Sequence, residues 1–120
     1  MGDDSTTVKE LKDKVQKFCE DRDWNQFHKP KDLAIGISTE ANELLDLFRF
    51  KRDNDIKEIM SNPSKRQTVG EELADVLYFL LRFAQMNGFD LSEELGKKLE
   101  KNNIKYPVEK ARGSNKKYNE

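Results

Sequence analysis

Two pairs of acids stand three residues apart in segments that are otherwise apolar: Glu40 with Glu43 in STEANELLDLF, and Glu72 with Asp75 in VGEELADVLYFLL. At about 100° per residue in a helix, the members of each pair lie about 60° apart and share one side. In the first segment Ile37, Ala41, Leu44, Leu45 and Phe48 form an apolar arc; Glu40 falls at its edge between Leu33 and Leu47, and Glu43 flanks it. In the second, Glu72 is in line with Val76, Phe79 and Phe83, and Asp75 sits toward Arg82. Carboxylates gathered beside a core repel one another and are costly to desolvate. A hard divalent cation relieves both effects, and ligation by oxygen alone suits Mg²⁺ or Mn²⁺. Ordinary surface ion pairs are the competing explanation, because charged residues make up 38% of the chain.

A third group of polar residues bears on the same chemistry. Lys98, Asn102 and Lys105 follow 4-and-3 spacing and continue the row begun by Leu91 and Leu95, so polar groups take over where the core row ends. Two cations and an amide beside metal-bound carboxylates suit a polyphosphate; cations complementing the end of their own helix are the alternative. A di-iron carboxylate site needs Glu-x-x-His pairs, and the one histidine, His28, has no glutamate at that spacing. No Gly-rich phosphate loop, zinc spacing or Ser/His/Asp set is present, which leaves metal and lysines to bind phosphate.

Four helices and a tail must position these groups. Thr7 and Glu10 make a capping box for a first helix carrying Val8, Leu11, Val15 and Phe18 and ending near Glu20 to Arg22. The loop RDWNQFHKPKD follows, with Pro30 keeping Lys29 out of helical geometry. The spacing predicts a second helix from about Asp32 to Arg52, a short helical piece at DIKEIM, and a break at SNPS. Thr68 with Glu71 predicts the start of a third helix, apolar nearly all round and hence enclosed by neighbours, that stops at Gly88. Asp90 with Glu93 opens a fourth, which runs to Tyr106 before Pro107. No segment alternates with period two, so the fold class is all-α. Residues 1–6 and the basic tail 108–120 have little to bury and are expected to be mobile unless a ligand or neighbouring subunit orders them.

Composition narrows the partners. A chain of 120 residues suits a single domain whose core is small, so association with further copies is expected. With 22 basic and 23 acidic residues the formal charge is −1, which argues against a nucleic-acid polymer. The single cysteine, Cys19, builds no disulfide framework, and no apolar run reaches the roughly 20 residues that span a bilayer. A reduced, cytoplasmic location away from membranes is expected. The start MGDDSTT has no apolar h-region, and its formal match to a myristoylation pattern lacks the second signal that stable anchoring needs.

Together these residues resemble the all-α nucleoside triphosphate pyrophosphohydrolases of the MazG-like superfamily, and most closely its dCTP pyrophosphatase branch, over about residues 8 to 120. The superfamily's E-x-x-E and E-x-x-D motifs match Glu40, Glu43, Glu72 and Asp75. The branch's loop matches RDWNQFHKP, its last-helix motif matches Lys98 and Asn102 followed by Lys105-Tyr106-Pro107, and its tail matches ARGSNKKYNE. The resemblance implies a four-helix bundle completed by oligomerisation, as a tetramer, and an enzyme that cleaves a nucleoside triphosphate to monophosphate and pyrophosphate. It implies that the four acids bind Mg²⁺ and serve catalysis; the sequence does not single out which carboxylate takes the water's proton, and Glu43 is taken as the candidate. Lys98, Asn102 and Lys105 would then face the phosphates, and Trp24 and His28 would enclose the nucleoside. Where dCTP-specific animal members carry histidine, tryptophan and tyrosine, this chain has Val15, Phe50 and Phe79. Phe50 can still stack on a base, while Val15 and Phe79 remove polar contacts and imply wider tolerance among pyrimidines. A catalytically idle, nucleotide-binding helical oligomer is the alternative; the intact acid set argues against it.

Overall fold

The computed structural model describes residues 1–120 and is helical throughout, without strands. In order it contains α1 (Val8–Glu20), a 3₁₀ turn (Asn25–Phe27), α2 (Pro30–Asp46), α3 (Asp53–Ser61), α4 (Pro63–Asn87), α5 (Leu91–Lys105) and the one-turn α6 (Val108–Ala111). The chain divides into two units, Met1–Gly88 and Phe89–Glu120.

In the first unit, α4 is the central element, with α2, α1 and α3 all packed on it, α2 most extensively. The buried apolar positions are Cys19 from α1, Leu33 from α2, and Val69, Leu81 and Ala84 from α4. Thr7 caps α1 as its sequence predicts: its Oγ1 accepts from the Glu10 amide at 3.1 Å. Gly88, at φ 74°, ends α4 in the left-handed conformation that a residue without Cβ adopts at least cost.

Several helix limits differ from the sequence pattern. Proline at the first helical position starts α2 at Pro30, two residues before Asp32. That helix stops at Asp46 rather than Arg52; a turn follows, and the Asp55 carboxylate, accepting from the Arg52 amide at 3.1 Å, gives α3 its own N-terminus. Reversal within residues 47–51 places Phe50 at φ 62°, an uncommon conformation for a bulky side chain. The α4 helix begins at Pro63, with Asn62 Oδ1 accepting from the Lys65 amide, so SNPS is a helix start rather than only a break. Thr68 is therefore interior, and its hydroxyl donates back to the Ser64 carbonyl. Nor is α4 enclosed all round: Leu73, Leu77 and Leu80 retain 54%, 42% and 42% of their surface.

Close approach of α2 to α4 rests on a glycine. A Cβ on Gly36 would lie 2.5 Å from the Phe79 ring, closer than van der Waals contact permits. Gly36→Ala would gain up to about 1 kcal/mol of helix propensity, but overpacking costs typically about 1–3 kcal/mol. A net loss of stability by thermal melting is expected, with Phe79 displaced.

In the second unit, Asp90 Oδ1 caps α5 by accepting from the Glu93 amide at 2.9 Å. The segment after Pro107 forms α6, and beyond it the Tyr118 ring meets Tyr106 edge-on at 5.9 Å.

Candidate functional site

The i, i+3 spacing on α4 sets Glu72 and Asp75 on one side of that helix, and α2 lays Glu40 against them. Each of the three offers an oxygen within 4.8 Å of the others. Glu40 and Glu72 are half-buried and Asp75 is exposed. Oε2 of Glu72 is buried and has no hydrogen-bond partner. Glu43, exposed one turn along α2, lies outside the close trio, yet its charge acts on both neighbouring glutamates.

Burial raises the Glu40 carboxyl above its ordinary pKa, and the charges of Asp75 and Glu43 raise it further. Burial also raises Glu72, followed by repulsion from Asp75, Glu40, Glu43 and Glu71. Ion pairs stand at Lys9–Asp13, Lys17–Asp21, Arg49–Asp46, Lys65–Glu58 and Lys97–Glu94. None of these pairs involves the trio, and Glu72 keeps a buried oxygen without a hydrogen-bond partner. An unpartnered carboxylate oxygen in an all-oxygen trio is a donor set that fits a hard divalent cation, with Glu40, Glu72 and Asp75 as the residues that would hold it.

Asp75 also lines a cleft of about 530 Å³ between α1 and α4, within the size range of small-molecule sites. Val15 and Phe18 face it from α1, Trp24 from the loop, and Ala74, Tyr78 and Phe79 from α4, with Lys14 adding a cation. Its aromatic residues form a chain of edge-on contacts: Trp24 to Phe18 at 5.7 Å, Phe18 to Tyr78 at 6.0 Å, and Tyr78 to Phe79 at 5.0 Å. The Tyr78 hydroxyl is 3.1 Å from Cys19 Sγ, and burial, reinforced by that contact, raises its pKa. Such a wall offers flat, polarisable surface to a planar ring, next to carboxylates that can hold a cation.

Of the candidate residues named from sequence, Trp24, Phe79 and Asp75 thus meet at one cleft. His28 is half-buried, with its ring edge-on to Trp24 at 6.2 Å. Phe50 does not line the cleft; it is 92% exposed in the turn after α2, with the Arg49 guanidinium 4.7 Å from its ring centre. On α5, in the second unit, Lys98 and Lys105 are exposed and Asn102 is half-buried; Lys105 Nζ stands 5.0 Å from the Tyr118 ring. Phe18, Tyr78 and Lys14 were not read from sequence as site residues. The available signal was spacing: Tyr78 and Phe79 follow Asp75 by three and four residues, and Phe18 follows Val15 by three.

Comparison with known proteins gives a consistent picture. Residues 35–120 match the model of the MazG-like family. The chain is 35% identical to dCTP pyrophosphatase 1 of Mus musculus over 112 residues, covering 93% of this chain and 66% of that protein. It is 34% identical to dCTP pyrophosphatase 1 of Homo sapiens over 114 residues, covering 95% and 67%. It therefore spans about two thirds of the length of these relatives. Among solved structures, a pyrophosphatase from Archaeoglobus fulgidus superposes with a TM-score of 0.77 at 37% identity, covering 83% of this chain and 92% of that one.

Proposed function

The chain belongs to the MazG-like family, and from that premise we propose that it is a Mg²⁺-dependent nucleoside triphosphate pyrophosphohydrolase acting on dCTP or a related pyrimidine deoxynucleotide. The observation that carries this reading is Asp75, which belongs both to the carboxylate trio and to the aromatic cleft. Two relatives named dCTP pyrophosphatase 1 support the substrate class.

In this reading water attacks the α-phosphorus, the bond from that phosphorus to the bridging oxygen breaks, and monophosphate and pyrophosphate leave. When bound, Mg²⁺, or Mn²⁺ in its place, would supply charge neutralisation at the phosphates and would make the attacking water more acidic. Glu40, Glu72 and Asp75 would hold the cation, and Glu43 would accept the water's proton; its standing outside the close trio supports that role. Trp24 and Phe79 enclose the base, with His28 behind Trp24. We infer a phosphate-directed role for Lys98, Asn102 and Lys105 from the two lysine charges and the match of all three to the family pattern. Val15 and Phe79 offer the base no polar group, which favours tolerance among pyrimidines over strict cytosine selection.

A homotetramer completes the site. The exposed leucines along α4 and the exposed Phe50 support association, because water-exposed apolar surface of this kind marks contact areas. No helix is long and apolar enough to cross a membrane, and we infer a cytoplasmic role in clearing surplus or modified triphosphates from the nucleotide pool.

A panel of nucleoside triphosphates with Mg²⁺ tests the proposal, with phosphate read by malachite green with and without added inorganic pyrophosphatase. The expected signal needs the added enzyme and is largest for pyrimidine deoxynucleotides. Absence of pyrophosphate from every triphosphate, with Mg²⁺ or Mn²⁺, would leave only the reading as a non-catalytic nucleotide-binding oligomer. Trp24→Ala should raise KM about tenfold, matching the roughly 1–3 kcal/mol of a base–aromatic stack, with kcat held. Unchanged kinetics would remove Trp24 from the binding site.

A further inference from the structure

Arg82 is a charged residue in the C-terminal part of α4, the helix on which α1, α2 and α3 pack, and it is 1% exposed. Its guanidinium donates from Nε to Nδ1 of His28 at 2.9 Å, from Nη1 to Oε1 of Gln85 at 2.6 Å, and from Nη2 to Oδ1 of Asn25 at 2.5 Å. All three acceptors are neutral. Burying a guanidinium without a carboxylate is costly, and an apolar side chain would fill the same space without that cost. What the guanidinium adds is direction, since its donors lie in a rigid plane.

Two of the three bonds cross to the loop between α1 and α2, where Asn25 and His28 bracket the 3₁₀ turn. A guanidinium only donates, so Nδ1 of His28 must accept and carries no proton; the ring's proton is then on Nε2. The charged groups facing His28 are Arg82 from α4 and Asp32 from α2. Burial and then Arg82 lower the His28 pKa, while Asp32 opposes them. The His28 ring packs edge-on against Trp24, which walls the cleft.

We propose that Arg82 is a positioning residue: acting through His28 and Asn25, it locks the loop, keeps His28 a neutral ring protonated at Nε2, and holds Trp24 in place as the wall of the nucleoside cleft. The consequence for substrate rests on reading the cleft as a nucleoside site; the grip on the loop stands on geometry alone.

The chain has one histidine and one tryptophan, so both ends of this device can be read without an activity assay. In ¹H–¹⁵N spectra of the wild type at about pH 7, His28 should show an unprotonated Nδ1 and a protonated Nε2, titrating below its ordinary value of about 6.5. A protonated Nδ1 overturns the proposal. Asn25→Ala, which removes one acceptor from the loop, should increase acrylamide quenching of Trp24. The same variant should raise KM about three- to tenfold with kcat unchanged. Asn25→Asp, which keeps an acceptor oxygen at the same atom, should restore both. Quenching and KM equal to wild type in Asn25→Ala would show that the loop does not depend on Arg82. Arg82→Lys, whose single ammonium replaces the planar fork, should raise the His28 midpoint and the quenching together; movement of neither also overturns the proposal. If no nucleotide is turned over, the functional reading fails, while the spectra and the quenching still decide the role of Arg82.

Discussion

Glu72→Gln is expected to lower kcat by about 10³-fold or more, beyond the roughly 10–100-fold typical of residues that only support a metal ligand. The same variant should leave the metal-free protein at least as heat-stable as the wild type. Glutamine keeps the size of the side chain and one acceptor oxygen, removes the charge and replaces the other oxygen by an amide NH₂. That charge sits half-buried, with a buried oxygen that lacks any hydrogen-bond partner, and it is opposed by Asp75, Glu40 and Glu43. Its removal relieves repulsion in the fold while taking an anionic ligand from the site. Glu71→Gln is the control: Glu71 is exposed and is the last and weakest contributor to the repulsion on Glu72, so turnover should change little. The measurements are pyrophosphate release with Mg²⁺ and thermal melting in EDTA. A clearly lower melting temperature for Glu72→Gln in EDTA would identify Glu72 as a structural residue and remove the trio from the proposed chemistry.

The carboxylates could be found from sequence because helical spacing carries orientation with it. Residues three apart share a side, so once α2 packs on α4 the two pairs bring Glu40, Glu72 and Asp75 together, while Glu43 stays outside the trio. Helix limits set by a single side chain were less visible. The start of α3 depends on Asp55 reaching back to the Arg52 amide, and the start of α4 on Asn62 capping a helix whose first residue is Pro63. In sequence, both stretches read equally well as continuation or as break. The aromatic cleft was only half legible, because it joins α1 to α4. Phe18 and Tyr78 are ordinary apolar positions until tertiary packing brings their rings to 6.0 Å. Gly36 and Arg82 were opaque for the same reason: one matters for the ring packed against it, the other for the loop it holds.

Adding Mg²⁺ to the metal-free protein should raise its melting temperature by about 10 °C at 100 times the dissociation constant, equivalent to about 2.7 kcal/mol. Activity should fall to background when EDTA removes the ion. The pH dependence of this increment follows from the sign of the glutamate shifts. Glu40 and Glu72 bind protons more tightly in the fold than in the unfolded chain, where carboxyls titrate near about pH 4.3. As pH rises from there through their raised values, the folded state therefore holds more protons than the unfolded one. The stability that these groups contribute is fully present below that window and is lost on passing up through it. Without metal, wild type and Glu72→Gln should accordingly converge in melting temperature near about pH 4 and separate toward pH 7, the glutamine variant being the more stable. Metal and protons compete for the same oxygens, so the Mg²⁺ increment in wild type should shrink as pH falls toward about 4.5 and be largely absent in Glu72→Gln at any pH. An increment that is the same at about pH 5 and pH 7.5, or that survives in Glu72→Gln, would place the ion at a site other than Glu40, Glu72 and Asp75.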